Sequence, residues 1–280
     1  MRESAVAGLF YEAGPSLLRK QIRACFLGSR GPGVLPSKKH SGNILGAIVP
    51  HAGYAYSGMC AAWAYKEIAE AEQPQTAIIL GTAHYGLGSG ILLDDWKTPL
   101  GIVRTDVELS REILMGGEIS QNTPAHLREH SVEVQLPFLQ FINRRIRIVG
   151  IVVGEDINYK KAGQDIKSAV ETLGRNVIVI ASSDFTHYGP DYGYIPFFDN
   201  IKERQRELDL KAIELIMKSD DEGFLGYVTR TGATICGARA IALLLRTIQF
   251  KKAQLLNYYT SGELTGYYKN SVGYASMIFR

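Results

Sequence analysis

The sequence predicts an α/β fold: a mostly parallel central sheet flanked by helices, forming a single domain over residues 1–280. Three observations carry this. Short apolar runs alternate with longer amphipathic stretches between about residues 44 and 181, the pattern of strand–helix–strand units. Arg147 to Val153 is almost continuously apolar, as a buried strand is. Three of the runs end alike, in a turn that carries a histidine. In an open α/β sheet, ligands bind outside the carboxyl ends of the strands.

Taken in order, the chain opens with a compact segment, Arg2 to Tyr11, followed by a helix from about Pro15 to Phe26, where Leu18, Ile22 and Phe26 recur at helical spacing. Residues 28–43 are rich in Gly, Pro, Ser and Lys and read as an exposed loop. Ile44 to Val49 is the first core strand. A helix follows from Ser57, a plausible N-cap, to Ala71. Ala77 to Leu80 is the second strand. The loop with Gly86, Gly88 and Gly90 lacks the spacing of a dinucleotide fingerprint. Strand-like pieces lie near Ile91 to Leu93 and Gly101 to Arg104, with a helix from Val107 to Leu114. Glu129 to Glu133 opens a further helix ending near Phe141. Arg147 to Val153 is a strand, Tyr159 to Leu173 an amphipathic helix and Val177 to Ala181 a strand. Helices over Ile201 to Lys218, Asp220 to Tyr227 and Ile235 to Ile248 follow. The last is apolar nearly all round and therefore buried. Strands Gln254 to Tyr259 and Val272 to Phe279 close the chain.

Charge is balanced, with 31 basic and 28 acidic residues for a net +3. Nothing in that balance favours nucleic acid or an anionic membrane as partner. Three cysteines, Cys25, Cys60 and Cys236, are too few and odd in number for a disulfide framework, which points to a reducing, cytoplasmic setting. No apolar run is long enough to cross a bilayer, and the amino terminus has no signal-like pattern.

His51, His84 and His187 fall at the ends of three predicted strands, with Asp184 three residues before His187. A lone histidine of this kind is usually structural; three in equivalent places point to a shared site. Imidazole is the commonest metal ligand, and a carboxylate can bind the metal or orient a ligand's second nitrogen. Cys236 lies at the predicted start of the buried helix, where the helix dipole lowers a thiol's pKa, so a thiolate ligand or nucleophile is expected there. Cys25 and Cys60 read as small core residues. Glu129, His130 and Glu133 would cluster on one helix, with His130 as an acid, base or hydrogen-bond donor. His40 and His126 are given no role. Nucleophile elbows, zincin helices, Walker loops and Cys-x-x-Cys pairs are all missing from the sequence.

Five stretches, His51-Ala-Gly-Tyr54, Leu80-Gly-Thr-Ala-His84, Glu129-His-Ser-Val-Glu133, Ser182-Ser-Asp-Phe-Thr-His187 and Thr234-Ile-Cys-Gly237, occur in the order found in the Memo family, which this sequence resembles almost end to end. That family includes the AmmeMemoRadiSam system protein B group, and its fold is similar to class III extradiol (LigB-type) dioxygenases. The resemblance implies a metal site at His51, His84 and Cys236 holding copper or iron, with redox activity. Asp184, His187 and His130 would line the same pocket as catalytic residues. It also implies peptide binding, described for the animal member. The sequence departs from the family at Gly81-Thr-Ala-His84-Tyr85, where a second histidine is lost. A cysteine replaces the carboxylate of the dioxygenases, which counts against ring cleavage. Three readings follow: a copper- or iron-dependent oxygenase-like protein, a module binding a small molecule or peptide, and a zinc hydrolase, since two imidazoles and a thiolate also suit zinc. Substrate and oligomeric state are not legible.

Overall fold

A computed structural model describes residues 1–37 and 42–280. His40 and the lysines beside it, in the predicted loop, lie outside the described residues. The elements are helix α1 (Pro15–Leu27), strand β1 (Gly46–Val49), α2 (Tyr54–Glu70), β2 (Thr76–Thr82), β3 (Gly90–Leu92), β4 (Trp96–Thr98), β5 (Gly101–Val103), α3 (Val107–Met115), α4 (Thr123–Leu127), α5 (Leu136–Ile142), β6 (Arg147–Val153), α6 (Tyr159–Leu173), β7 (Val177–Ser182), β8 (His187–Tyr188), α7 (Ile201–Met217), α8 (Asp221–Thr231), α9 (Ala238–Thr247), β9 (Ala253–Thr260), α10 (Ser261–Thr265) and β10 (Ser271–Phe279).

The main sheet runs β3-β6-β2-β7-β1-β10-β8, with β9 on the other edge of β10. Its four central strands, β6, β2, β7 and β1, are parallel. The flanking pairings, β3 with β6, β10 with β1, β8 and β9, are antiparallel. The sheet is thus mixed, and the expectation of a mostly parallel one is corrected to its centre. The carboxyl ends of the parallel strands still share one edge, and that edge carries the histidines.

Each central strand alternates between two buried faces. Ala47, Val49, Ile79 and Ile180 pack toward α1, α2 and α5. Ile48, Ile78, Val149 and Val179 pack toward α6, α9 and the helices beyond. Burial on both faces is why these strands read as continuous apolar runs. Helix α9 is enclosed along its length, from Ala240 to Leu245, as its all-round apolarity predicts. Among the described residues, no helix is long and apolar enough to cross a membrane.

Several boundaries moved. Helix α2 starts at Tyr54 with Gly53 as N-cap, so Ser57 is interior, where its hydroxyl donates to the Ala52 carbonyl. Glu129 and His130 precede the helical segment. They sit in an irregular stretch between α4 and α5, so Glu129 and Glu133 do not share a helix face. Helix α9 begins at Ala238, later than expected.

Candidate metal centre

β1 ends at Val49 and Pro50 stops it, so His51 emerges at the lip of the sheet, 2% exposed. The neighbouring β7 ends at Ser182 and leads into Asp184, whose carboxylate accepts from the backbone N–H of His51 at 2.8 Å and of Ala52 at 3.4 Å. Asp184 therefore fixes the turn that presents His51. His84 follows the end of β2. His187 reaches the same place by another route. As part of β8 it pairs with Val272 of β10, whose later residues pair with β1, so it stands over the end of β1. Cys236 comes from the turn before α9 and brings Sγ to 3.2 Å from His51 Nε2.

The tautomers follow from hydrogen bonding. Tyr65 Oη donates to Gln135 Oε1, so the Gln135 amide nitrogen points to Pro50 O and Ser182 Oγ. Ser182 Oγ donates to Ser131 O at 2.6 Å. Its lone pairs are left to accept, so His51 Nδ1, 3.1 Å away, carries the hydrogen and Nε2 carries the lone pair facing Cys236. His84 Nδ1 lies 2.9 Å from Glu129 Oε1. Burial raises the Glu129 carboxyl, but hydrogen bonds from His84 and Ser131 and the nearby His84 and His130 rings outweigh it and hold it at about 2. An ionised carboxylate only accepts, so His84 donates from Nδ1 and its Nε2 is free. His187 Nδ1 donates to Thr234 O at 3.0 Å, which leaves Nε2 toward the cleft.

Among the described residues, two groups of donors lie close enough to hold a cation: His51, His84 and Cys236, and His84, Glu129 and His130, each within 4.8 Å. Ring orientation separates them. The rings of His51 and His84 are at 88°, so their in-plane lone pairs can meet at one point. The rings of His84 and His130 are stacked, 4.6 Å apart and 17° from parallel, so their planes meet only far outside bonding distance. Metal–donor bonds of 2.0–2.3 Å put tetrahedral donors about 3.5 Å apart, close to the His51–Cys236 separation. The first group therefore fits a metal, and in the second Glu129 acts as a hydrogen-bond acceptor. No spacing rule on a single sequence shows that distinction.

Electrostatics agree. Burial, then the His130, His84 and His187 imidazoles, push His51 well below the usual histidine value, so it is a neutral donor. Burial and His84 bring His130 to about 4. Burial raises Asp184 despite the opposing His187. The expected lowering of the Cys236 pKa is reversed. Cys236 sits outside the helix, one residue before the Gly237 N-cap, and burial beside Asp184 pushes its thiol up. A coordinating cation deprotonates such a thiol outright.

His51, His84, His130, His187 and Asp184 line one cleft of about 610 Å³, walled also by Phe10, Tyr56, Tyr192, Tyr267 and Tyr274. Of the six residues expected to hold the metal or act on substrate, all but Cys236 border this cleft; Cys236 contacts His51 and lines a separate cleft with Thr82, Ala83 and Arg239. The structure adds Glu129 as partner of His84, Ser182 as partner of His51 with Gln135 donating to the Ser182 hydroxyl, and Phe10 against the His130 ring at 4.7 Å. Glu133 lies elsewhere. It pairs with the buried Arg2 and accepts from Ala5 N, Val6 N and Tyr11 Oη, pinning the amino-terminal segment. His126 is buried with Nε2 on Gly90 O and stays structural, while Cys25 and Cys60 are core residues.

A family model described as Memo-like protein matches residues 2–278. A MEMO1 family protein of Methanopyrus kandleri is 39% identical over 290 residues, covering 100% of this chain and 99% of its own. One from Methanothermobacter thermautotrophicus is 39% identical over 286 residues, covering 99% of both. One from Pyrococcus abyssi is 39% identical over 299 residues, covering 100% and 99%. Among solved structures, that of an uncharacterized Escherichia coli K12 protein aligns with a TM-score of 0.54 at 9% identity, over 85% of this chain and 100% of that one. At that identity the likeness speaks for the fold alone.

Proposed function

The chain belongs to the Memo-like protein family, and we propose that it is a metal-dependent redox protein with oxygenase-like chemistry, its metal held by His51, His84 and Cys236. The observation that carries this reading is the convergence of two tautomer-locked imidazoles and one sulfur on a common point at the edge of an aromatic cleft. Two nitrogens and a thiolate suit copper or iron, and three protein donors leave a position for a substrate or a small co-reactant. Bound copper or iron would supply one-electron and dioxygen chemistry.

The chain's own residues do the rest. His187 Nε2, aimed into the cleft by the Thr234 carbonyl, accepts a proton from a bound molecule. His130, neutral at pH 7, stacks on His84 and offers a second site for a proton. Asp184, tied to backbone amides, holds the His51 turn and acts by positioning. The tyrosines take the flat faces of a small molecule and exclude water. The fold similarity to class III extradiol dioxygenases that the family resemblance implies supports oxygenase-like chemistry, and the thiolate in place of a carboxylate argues against ring cleavage. A reducing cytoplasm suits a site that depends on a free thiol.

A second reading rests on the exposed Tyr56, Tyr192 and Tyr267 at the cleft, which would suit a peptide-binding module. Metal analysis of anaerobically purified protein separates the two. Copper or iron near one per chain is expected. The Cys236→Ser variant should keep its circular dichroism spectrum and lose most of that metal. Zinc alone would favour a hydrolase, and tight peptide binding by protein that takes up no metal would favour the module.

A further inference from the structure

We propose that a second cleft, at the opposite end of the sheet, binds a phosphate dianion, either free phosphate or the terminal group of a small monoester. This cleft, about 360 Å³, lies where the parallel strands begin. Thr76 opens β2 and is in register with Arg147 at the start of β6 on one side and Val177 at the start of β7 on the other. Arg147, and Arg145 in the turn before it, therefore approach from the side of β6. Arg175, two residues before β7, approaches from the other, and Gln75 and Asn143 complete the wall.

The charges do not cancel. Asp106 is the acid that lines the cleft, and it is already engaged. Its Oδ2 accepts from Thr76 Oγ1 at 2.6 Å and lies 3.7 Å from Arg175 Nε, and its Oδ1 accepts from Leu109 N. Arg175 also pairs with Glu108. Among the described residues, neither Arg145 nor Arg147 has a carboxylate within 4.0 Å, and both are exposed. Arginines scattered on a convex surface would simply be solvated. Here two uncompensated guanidinium groups face a concavity whose amide side chains can also donate. Two positive charges match a dianion, and the guanidinium fork matches two phosphate oxygens at once. The site lies at the other end of the strands from the histidines, so it needs no metal.

Isothermal titration of the full chain in phosphate-free buffer at low ionic strength tests this, with inorganic phosphate and ethyl phosphate as probes. Saturable binding near one per chain is expected. The Arg145→Gln/Arg147→Gln double variant should bind at least about tenfold more weakly, and the corresponding double lysine variant should fall between, because it keeps the charge and loses the fork. Tighter binding of the ester assigns a phosphorylated small molecule, and tighter binding of inorganic phosphate assigns the free ion. Absence of saturable binding with either probe, or equal affinity in the double glutamine variant, overturns the proposal. Both arginines are exposed, so an unchanged thermal midpoint should accompany the loss.

Discussion

His51, His84 and His187 each commit Nδ1 to a different acceptor: a serine hydroxyl, a carboxylate and a backbone carbonyl. The result is the same in each case, a free Nε2 lone pair, which faces the Cys236 sulfur in His51 and the cleft in His187. Of these partners Glu129 does the most. It accepts from the His84 ring, from the His84 backbone N–H at 3.0 Å and from the Ser131 N–H at 2.9 Å, and it is 1% exposed. A glutamine there has one acceptor oxygen for these donors, so the His84 ring loses its fixed orientation or a buried N–H loses its partner. Outer partners of metal-bound histidines typically contribute 10–100-fold in affinity. Glu129→Gln is accordingly expected to bind copper or iron about 10–100-fold more weakly in competition with a chromophoric chelator, while still binding one ion. An affinity equal to that of the parent would mean that Glu129 only holds its loop.

The tip of α9 decides whether the sulfur reaches the imidazoles. Gly237 caps that helix, and its N–H donates to Ser183 Oγ at 3.0 Å. A Cβ on Gly237 would lie 2.5 Å from Ser183 Cβ and 2.9 Å from Ser182 O, so the tip would have to move off the end of β7. Gly237→Ala is expected to destabilise by about 1–3 kcal/mol in urea unfolding and to weaken metal binding as Cys236 is displaced. Unchanged metal binding would show that the sulfur position tolerates such a shift. The strand ends that carry the histidines were legible from sequence because apolar runs that stop at a turn mark where a sheet presents side chains, whereas Cys236 was read into the first turn of a helix that begins only at Ala238. Glu129 was misread for a local reason. Helical spacing paired it with Glu133, whereas Pro137 sits in the first turn of α5, a position proline favours, and so signals a later start. The antiparallel flanks were not legible. The composition of β10 is the same whether its neighbours run with it or against it, and pairing direction is set by contacts distant in sequence.

The parallel and antiparallel halves of the sheet are tied to α7 through one buried acid. Asp209 is fully buried. It accepts from Thr186 N and Oγ1, after β7, and from Tyr258 Oη on β9. Gly273 of β10 leaves room for it, since a Cβ there would come within 2.2 Å of Asp209 Oδ2. Burial raises its pKa from the ordinary 3.8 to about 6, against the opposing hydrogen bonds from Thr186 and Tyr258. The sign follows directly. Between those values the folded protein keeps this proton and the unfolded chain has released it, so the Asp209 contribution to stability falls as pH rises through the window. A shift of about two units corresponds to about 3 kcal/mol in total, lost progressively as pH rises from below 4 to about 7. Asp209→Asn cannot titrate. Urea unfolding of metal-free protein at pH 4, 5, 6 and 7 should therefore show the parent losing about 2 kcal/mol of stability relative to the variant between pH 4 and 6. Between pH 6 and 7 the further change should be less than about 0.5 kcal/mol. Parallel profiles over the whole range would mean that Asp209 is ionised in the folded protein already at pH 4, with the hydrogen bonds from Thr186 and Tyr258 outweighing its burial.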